Sequence, residues 1–287
     1  MGTEQRDSLQ GTGGDDVIVA LGGWDTIRAG AGNDVVCGGV GAYRLLGAGG
    51  NDRLHGGRDG ITAAREETFG DAVAGGAGND LLDGGPGWQM SSGGQDEVVY
   101  ARASGPIAAD LVTGVATGQG ADRLVSIQGV SGDPFDDELR GTGWLRGRGG
   151  NDALLGGVTL IGDDGDDVLR ASASATYTQL AAGPGDDRLH GSEGYDLLDG
   201  DTGDDVIRGY GGHDVIRGES GDDVIYGGPV RDYVQAGSGA DEVAGGPGDD
   251  WIGGGLGYDR ANGGPHTRDD RCGGVEVPVD CERGPSS

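Results

Sequence analysis

Nine aspartates recur at nine-residue intervals in the second half of this 287-residue chain: Asp187, Asp196, Asp205, Asp214, Asp223, Asp232, Asp241, Asp250 and Asp259. A carboxylate is a hard oxygen donor that can hold a cation, or one half of an acid–base pair. The period decides between the two. Adjacent carboxylates such as Asp222 and Asp223 are part of the repeating unit rather than a unique constellation. Two residues after each periodic Asp stands an apolar side chain: Leu189, Leu198, Ile207, Ile216, Ile225, Val234, Val243, Ile252 and Ala261. Two residues before it stands Gly, except where Val230 replaces it. The unbroken run of units starts at Ala182 with AGPGDDRLH, GSEGYDLLD and GDTGDDVIR.

The elements that position these aspartates follow from one unit. Its Gly-rich half turns, since Gly accepts positive φ and close backbone approach. Its last three residues are long enough only for a short strand, with the middle side chain on one face and its neighbours on the other. A single unit cannot bury its one apolar residue, so units must stack as a solenoid. Two units make a coil, which sets each Asp above the one eighteen residues earlier. Bare carboxylates roughly 4.8 Å apart along a stack repel one another, so a cation must lie between them. Carboxylate and carbonyl oxygens in a flexible turn suit calcium.

The pattern G-G-x-G-x-D-x-U-x resembles the RTX, or haemolysin-type, calcium-binding repeat. That resemblance implies an all-β protein, a right-handed parallel β-roll (a β-solenoid of stacked nonapeptide repeats). It also implies multiple Ca2+ ions between successive turns of one edge, held by Asp carboxylates and Gly-turn carbonyls.

Composition agrees with a fold that needs neutralising. The chain has 68 glycines, 5% aromatic residues and a formal net charge of −29. High charge with low hydrophobicity favours disorder unless the charge is compensated. So acidic a chain is not expected to bind nucleic acid, whose phosphates call for Lys or Arg. No apolar run is long enough for a transmembrane segment, and MGTEQRDSLQ lacks the apolar core of a signal peptide. Calcium-dependent folding suits an extracellular, secreted location.

In order, residues 1–10 read as a polar lead-in, and repeats run from Gly11 to 92, interrupted by an extra residue near Arg65. Alternate units put Asp16, Asp34, Asp52 and Asp71 on one edge, and Asp25, Tyr43, Ile61 and Asp80 on the other; Gln89 stands where a further Asp is expected. Only the first edge is an unbroken carboxylate ladder, so Asp25 is expected to lack a complete site. Residues 93–131 leave the nine-residue rhythm and read as wider coils of the same solenoid. From 132 to 262 the main array alternates at first between full and shortened units, with Leu139, Leu145, Leu154, Leu160, Leu169 and Leu180 continuing the core. One ladder should run through Asp137, Asp152, Asp167, Asp187, Asp205, Asp223, Asp241 and Asp259. A second, Asp196, Asp214, Asp232 and Asp250, starts where the short units stop. With Asp16, Asp34 and Asp52 these are the expected calcium ligands. Residues 263–287 read as a C-terminal cap, with Val275, Val277 and Val279 alternating and Cys272 and Cys281 spaced for a disulfide; Cys37 has no evident partner.

Catalytic motifs are not evident. HExxH and GxSxG are absent, and His55, His190 and His213 fall at outward or turn positions; His266 lies in the tail. The leading expectation is a non-catalytic, calcium-folded module for adhesion or support of a partner domain. The alternative is a polysaccharide-modifying secreted enzyme with its site in 93–131. An ice- or crystal-surface binder is disfavoured because the outward positions Arg188, Val206, Val224, Glu242 and Arg260 are too mixed. On the other face, Leu197, Val215, Tyr233 and Trp251 form an apolar outward row fit for a surface, glycan or protein partner. Asp199, Arg217, Gln235 and Gly253 stand beside it.

Overall fold

A computed structural model describes residues 1–58, 71–86, 95–265, 270–275, 277–279 and 282–283. All regular elements among them are β-strands, and no helix is long and apolar enough to cross a membrane. The chain is a parallel β-roll that divides into two units, residues 1–141 and 142–287.

In the first unit two parallel stacks carry the core. One aligns Leu9, Ile27, Leu45, Val73 and Val98, and then Val130 on Val98. The other aligns Ile18, Val36, Leu54, Leu82 and Leu124. From Ile27 and Ile18 onward these side chains are buried, because each lies between the two stacks and its strand neighbours point outward. Full burial of one such side chain contributes about 1.5–3 kcal/mol, so the core is a column of small increments.

The residues read as a polar lead-in are a full unit. GTEQRDSLQ ends in the strand Ser8–Gln10, which pairs in parallel with Thr26–Arg28. Its polar composition concealed the Asp-x-Leu ending. Residues 93–131 hold three rungs of the stacks, Glu97–Val99, Ala121–Val125 and Gly129–Ser131, together with a strand, Val115–Thr117, that is antiparallel to both Ala108–Asp110 and Ala121–Val125. Ala116, on that strand, is fully buried.

The second unit repeats the arrangement. One stack aligns Leu145, Leu160, Leu180, Leu198, Ile216, Val234, Ile252 and Cys272. The other aligns Leu154, Leu169, Leu189, Ile207, Ile225, Val243 and Ala261. The shortened units therefore keep the core column and omit only the turn that would carry an Asp. In the tail Val277–Val279 pairs on Arg260–Asn262. Cys272 is disulfide-bonded and Cys37 is free; Cys281 lies outside the described residues, as do Ile61, Arg65, Gln89 and His266.

The fourth-position glycines have a steric cause. Gly221 has φ +136°, and a Cβ there would collide with the carbonyl of Gly203, one coil below. Val230, the exception, takes φ +73°.

Candidate calcium sites

Each coil edge holds its aspartates by one repeated hydrogen bond. The backbone N–H of one Asp donates to Oδ1 of the Asp on the next coil. In the second unit this links Asp152, Asp167, Asp187, Asp205, Asp223, Asp241 and Asp259 at 2.6–3.1 Å. The other edge links Asp196, Asp214, Asp232 and Asp250, starting where the short units stop. It also runs one step further than expected, to Asp270. Below Asp196 the matching position is Thr178, whose hydroxyl donates to Asp196 Oδ1.

In the first unit the edges are paired differently from the expectation. Asp80 stacks on Asp52, continuing Asp16, Asp34 and Asp52, and Asp122 follows it. Asp71 stacks on Tyr43, and Asp96 follows it. Asp71 and Asp80 thus exchange edges relative to the sequence-based assignment. Extra residues between Arg58 and Asp71 lengthen both coil steps from 18 to 28. Asp25 is not isolated from below, because its Oδ1 accepts the Asp7 N–H at 2.7 Å. Above it Tyr43 is buried, and its ring packs against Gly38, where a Cβ would lie 2.8 Å from Cδ2. The ring fills the place a carboxylate takes elsewhere.

Sequence reasoning passed over Asp7, Asp96, Asp122 and Asp270. Each is followed two residues on by Leu9, Val98, Leu124 or Cys272. That Asp-x-apolar ending was the available signal; irregular turn lengths before it hid three of the four.

While Oδ1 is satisfied, the second oxygen is not. Oδ2 of Asp25, Asp34, Asp52, Asp80, Asp167, Asp187, Asp205, Asp214, Asp223, Asp232, Asp241 and Asp250 is buried without a hydrogen-bond partner. Where the unit begins with Gly, as for Asp52, Asp167, Asp205, Asp214, Asp223, Asp232 and Asp250, this oxygen turns back over that glycine toward a main-chain carbonyl of the next coil; the units of Asp25, Asp34, Asp187 and Asp241 begin with Ala instead. A Cβ added at Gly200 would collide with Asp205 Oδ2 and stand 2.8 Å from Gly218 O. The same pair of oxygens closes on Gly191, Gly218, Gly227 and Gly245. Over these glycines the space is a small cradle that a side chain would crowd. Its lining, one carboxylate oxygen plus main-chain carbonyls, is the donor set of a hard cation. Among the described residues no three His, Cys, Asp or Glu side chains converge on one point. The main chain must therefore supply much of any coordination here.

The electrostatics point the same way. Burial pushes the carboxyls of Asp80, Asp167, Asp187, Asp205, Asp223 and Asp232 up to about 7, and nearby carboxylates add to it. Asp214 rises to about 8 through burial and the carboxylates of Asp232 and Asp196. A buried row that resists ionisation is a row short of positive charge.

Three expected ligands stand apart. Oδ2 of Asp16 accepts the Thr12 N–H at 2.6 Å and the Thr12 hydroxyl at 2.9 Å. Oδ2 of Asp137 accepts the Asp133 N–H at 2.9 Å, and Oδ2 of Asp196 the Ser192 N–H at 2.5 Å. Asp7 repeats the pattern with Thr3. In all four, a backbone N–H four residues earlier supplies part of what a cation would.

A comparison with curated proteins found no match. A model of the RTX calcium-binding nonapeptide repeat matches residues 1–36, 38–59, 68–88, 159–175, 181–216, 199–234 and 226–261. Those matches span more than half of the chain and include most ladder aspartates, though not Asp96, Asp122, Asp152 or Asp270. The chain accordingly belongs to the RTX calcium-binding nonapeptide repeat family and binds calcium at multiple sites.

Proposed function

We propose that this chain is a non-catalytic, calcium-folded extracellular module in which the stacked aspartates are the metal ligands. The observation that carries the reading is the set of buried Oδ2 oxygens without a partner, of which those of Asp52, Asp167, Asp205, Asp214, Asp223, Asp232 and Asp250 face a main-chain carbonyl across a glycine cradle. By this reading the ligands are Asp34, Asp52, Asp152, Asp167, Asp187, Asp205, Asp214, Asp223, Asp232, Asp241, Asp250 and Asp259, joined by Asp25, Asp71, Asp80, Asp96 and Asp270. Asp16, Asp122, Asp137 and Asp196 hold metal less firmly, because part of their coordination is already hydrogen-bonded.

The carboxylates of 93–131 support a structural role for that segment. Asp96 and Asp122 extend the ladders, and Asp110 Oδ1 accepts the N–H groups of Val112 and Thr113. The disulfide at Cys272 suits an oxidising compartment. The apolar row supports a contact with a partner protein domain. Leu197, Val215, Tyr233 and Trp251 lie opposite one another on successive strands, and the last two rings stack at 4.3 Å between centroids.

The test is a calcium titration followed by far-ultraviolet dichroism. The chain is expected to be largely coil in EDTA and to gain β-structure with calcium. A fully formed β spectrum in EDTA overturns the metal-folded reading. For the contact row, the Tyr233→Ser, Trp251→Ser double variant should fold with calcium but lose association; unchanged association removes the row from the proposal.

A further inference from the structure

The other sheet of the second unit carries a feature that calcium binding does not use. Arg170, His190, Arg208 and Tyr226 lie opposite one another on successive strands, and Arg188 stands two residues from His190 on the same outward face. Among the described residues Arg170, Arg188 and Arg208 form no salt bridge, although the chain holds 49 acidic residues against 20 basic ones. Like charges are gathered here where carboxylates are abundant elsewhere. The crowding depresses the His190 pKa, through burial and then through Arg170, Arg208 and Arg188. Neutral imidazole is thereby favoured between the guanidinium groups.

Aromatic rings border the cluster. Arg208 lies over the Tyr226 ring at 5.0 Å. The Tyr210 hydroxyl pairs with His190 Nδ1 at 2.9 Å, and the two rings stack at 6.0 Å. Tyr210 and Tyr226 remain 41% and 43% exposed. Together with Arg208, Glu193, Gly211 and Pro229 they line a groove of about 350 Å3. An apolar ring beside a guanidinium fork, on an extended face, can receive the C–H face of a sugar ring and a carboxylate together.

We propose that this face binds an acidic polysaccharide, with Arg170, Arg188 and Arg208 pairing its carboxylates, Tyr210 and Tyr226 stacking on its sugar rings, and Glu193 accepting a hydroxyl. Strand rungs lie roughly 4.8 Å apart, so Arg170 and Arg208, two rungs apart, are spaced for separate sugars of one extended chain. A nucleic acid fits less well. Duplex DNA places a phosphate charge every ~1.7 Å, and three guanidiniums on a chain of net charge −29 cannot offset that repulsion. The inference rests on the calcium-folded extracellular reading, since the cluster exists only when the coils are stacked.

The experiment uses the full calcium-loaded chain, with dichroism recorded first. A folded spectrum confirms that a failure to bind belongs to this proposal and not to the calcium reading. Binding is then measured to a hyaluronan octasaccharide, to neutral dextran and to a DNA duplex at physiological salt. Hyaluronan should bind, dextran and DNA should not, and Arg188→Ser with Arg208→Ser should weaken hyaluronan binding about tenfold or more. Arg260→Ser, on the same sheet but outside the cluster, should leave binding unchanged. Tyr226→Ser should weaken binding without reducing its salt dependence, because it removes stacking and no charge. Absence of hyaluronan binding, DNA binding of equal strength, or an Arg188/Arg208 double variant that binds like wild type overturns the proposal.

Discussion

Replacing Asp223 by Asn should change stability in opposite directions with and without calcium. Asp223 is buried in the middle of its ladder, where Oδ1 accepts the Asp205 N–H at 2.9 Å and Oδ2 has no partner. The Asn carbonyl can take over the bond from Asp205, so backbone pairing is preserved. The amide NH2 takes the place of Oδ2 and aims donor hydrogens at the cation. Losing a charged acceptor typically costs about 1.5–3 kcal/mol, which corresponds to a calcium midpoint roughly ten to a hundred times higher. Without calcium the sign reverses. Burial, Asp205 and Asp241 push the Asp223 carboxyl up to about 7, so at pH 8 the ionised form opposes folding and Asn removes that opposition. The assay is far-ultraviolet dichroism against free calcium in chelator buffers at pH 8, for wild type, Asp223→Asn and Asp222→Asn. Asp222 is exposed, with Oδ1 accepting the Ala240 N–H, and its Asn variant should track wild type. If Asp223→Asn leaves the calcium midpoint unchanged, or loses β-structure in EDTA relative to wild type, the assignment of Oδ2 to the metal fails.

Three further outcomes follow from the geometry. The metal-free chain should gain β-structure as pH falls from 8 to 5. The ladder carboxyls have folded pKa values raised to about 7 or 8, so the folded form takes up protons the unfolded chain does not. That contribution is complete below the unfolded value near 4 and lost as pH rises through 7; a flat or falling β signal on acidification in EDTA refutes it. Thr12→Val should cost about 0.5–1.5 kcal/mol, equally in calcium-saturated and calcium-poor folded protein, because the hydroxyl it removes caps Asp16 Oδ2 at 2.9 Å; a purely calcium-dependent loss would place a metal where the Thr12 cap stands. Reducing the Cys272 disulfide should cost about 2–3 kcal/mol in the chain-entropy account and expose the end of the stack first. Hydrogen exchange should rise around Trp251–Gly257, whose neighbour is Arg271–Gly273, and exchange rising evenly along the chain would argue against a local role.

The sequence alone determined the unit, its period and its two chemical columns. An Asp followed two residues later by an apolar side chain can be satisfied in only one way by stacked coils, so the β-roll, its core and the ladder from Asp187 to Asp259 were legible. The outward row Leu197, Val215, Tyr233 and Trp251 was legible for the same reason, since a strict 18-residue step leaves no freedom in register. The tertiary structure decided which carboxylates meet where the step varies. Core side chains and strand hydrogen bonds fix the rung, whereas turn length is free as long as it returns the chain to that rung. Steps of 28, 42 and 20 residues therefore set Asp80 on Asp52, Asp122 on Asp80 and Asp270 on Asp250. Counting units could not assign those partners. The antiparallel strand Val115–Thr117 and the gathering of Arg170, Arg188 and Arg208 on one face arise likewise from stacking, which brings together residues that no sequence motif joins.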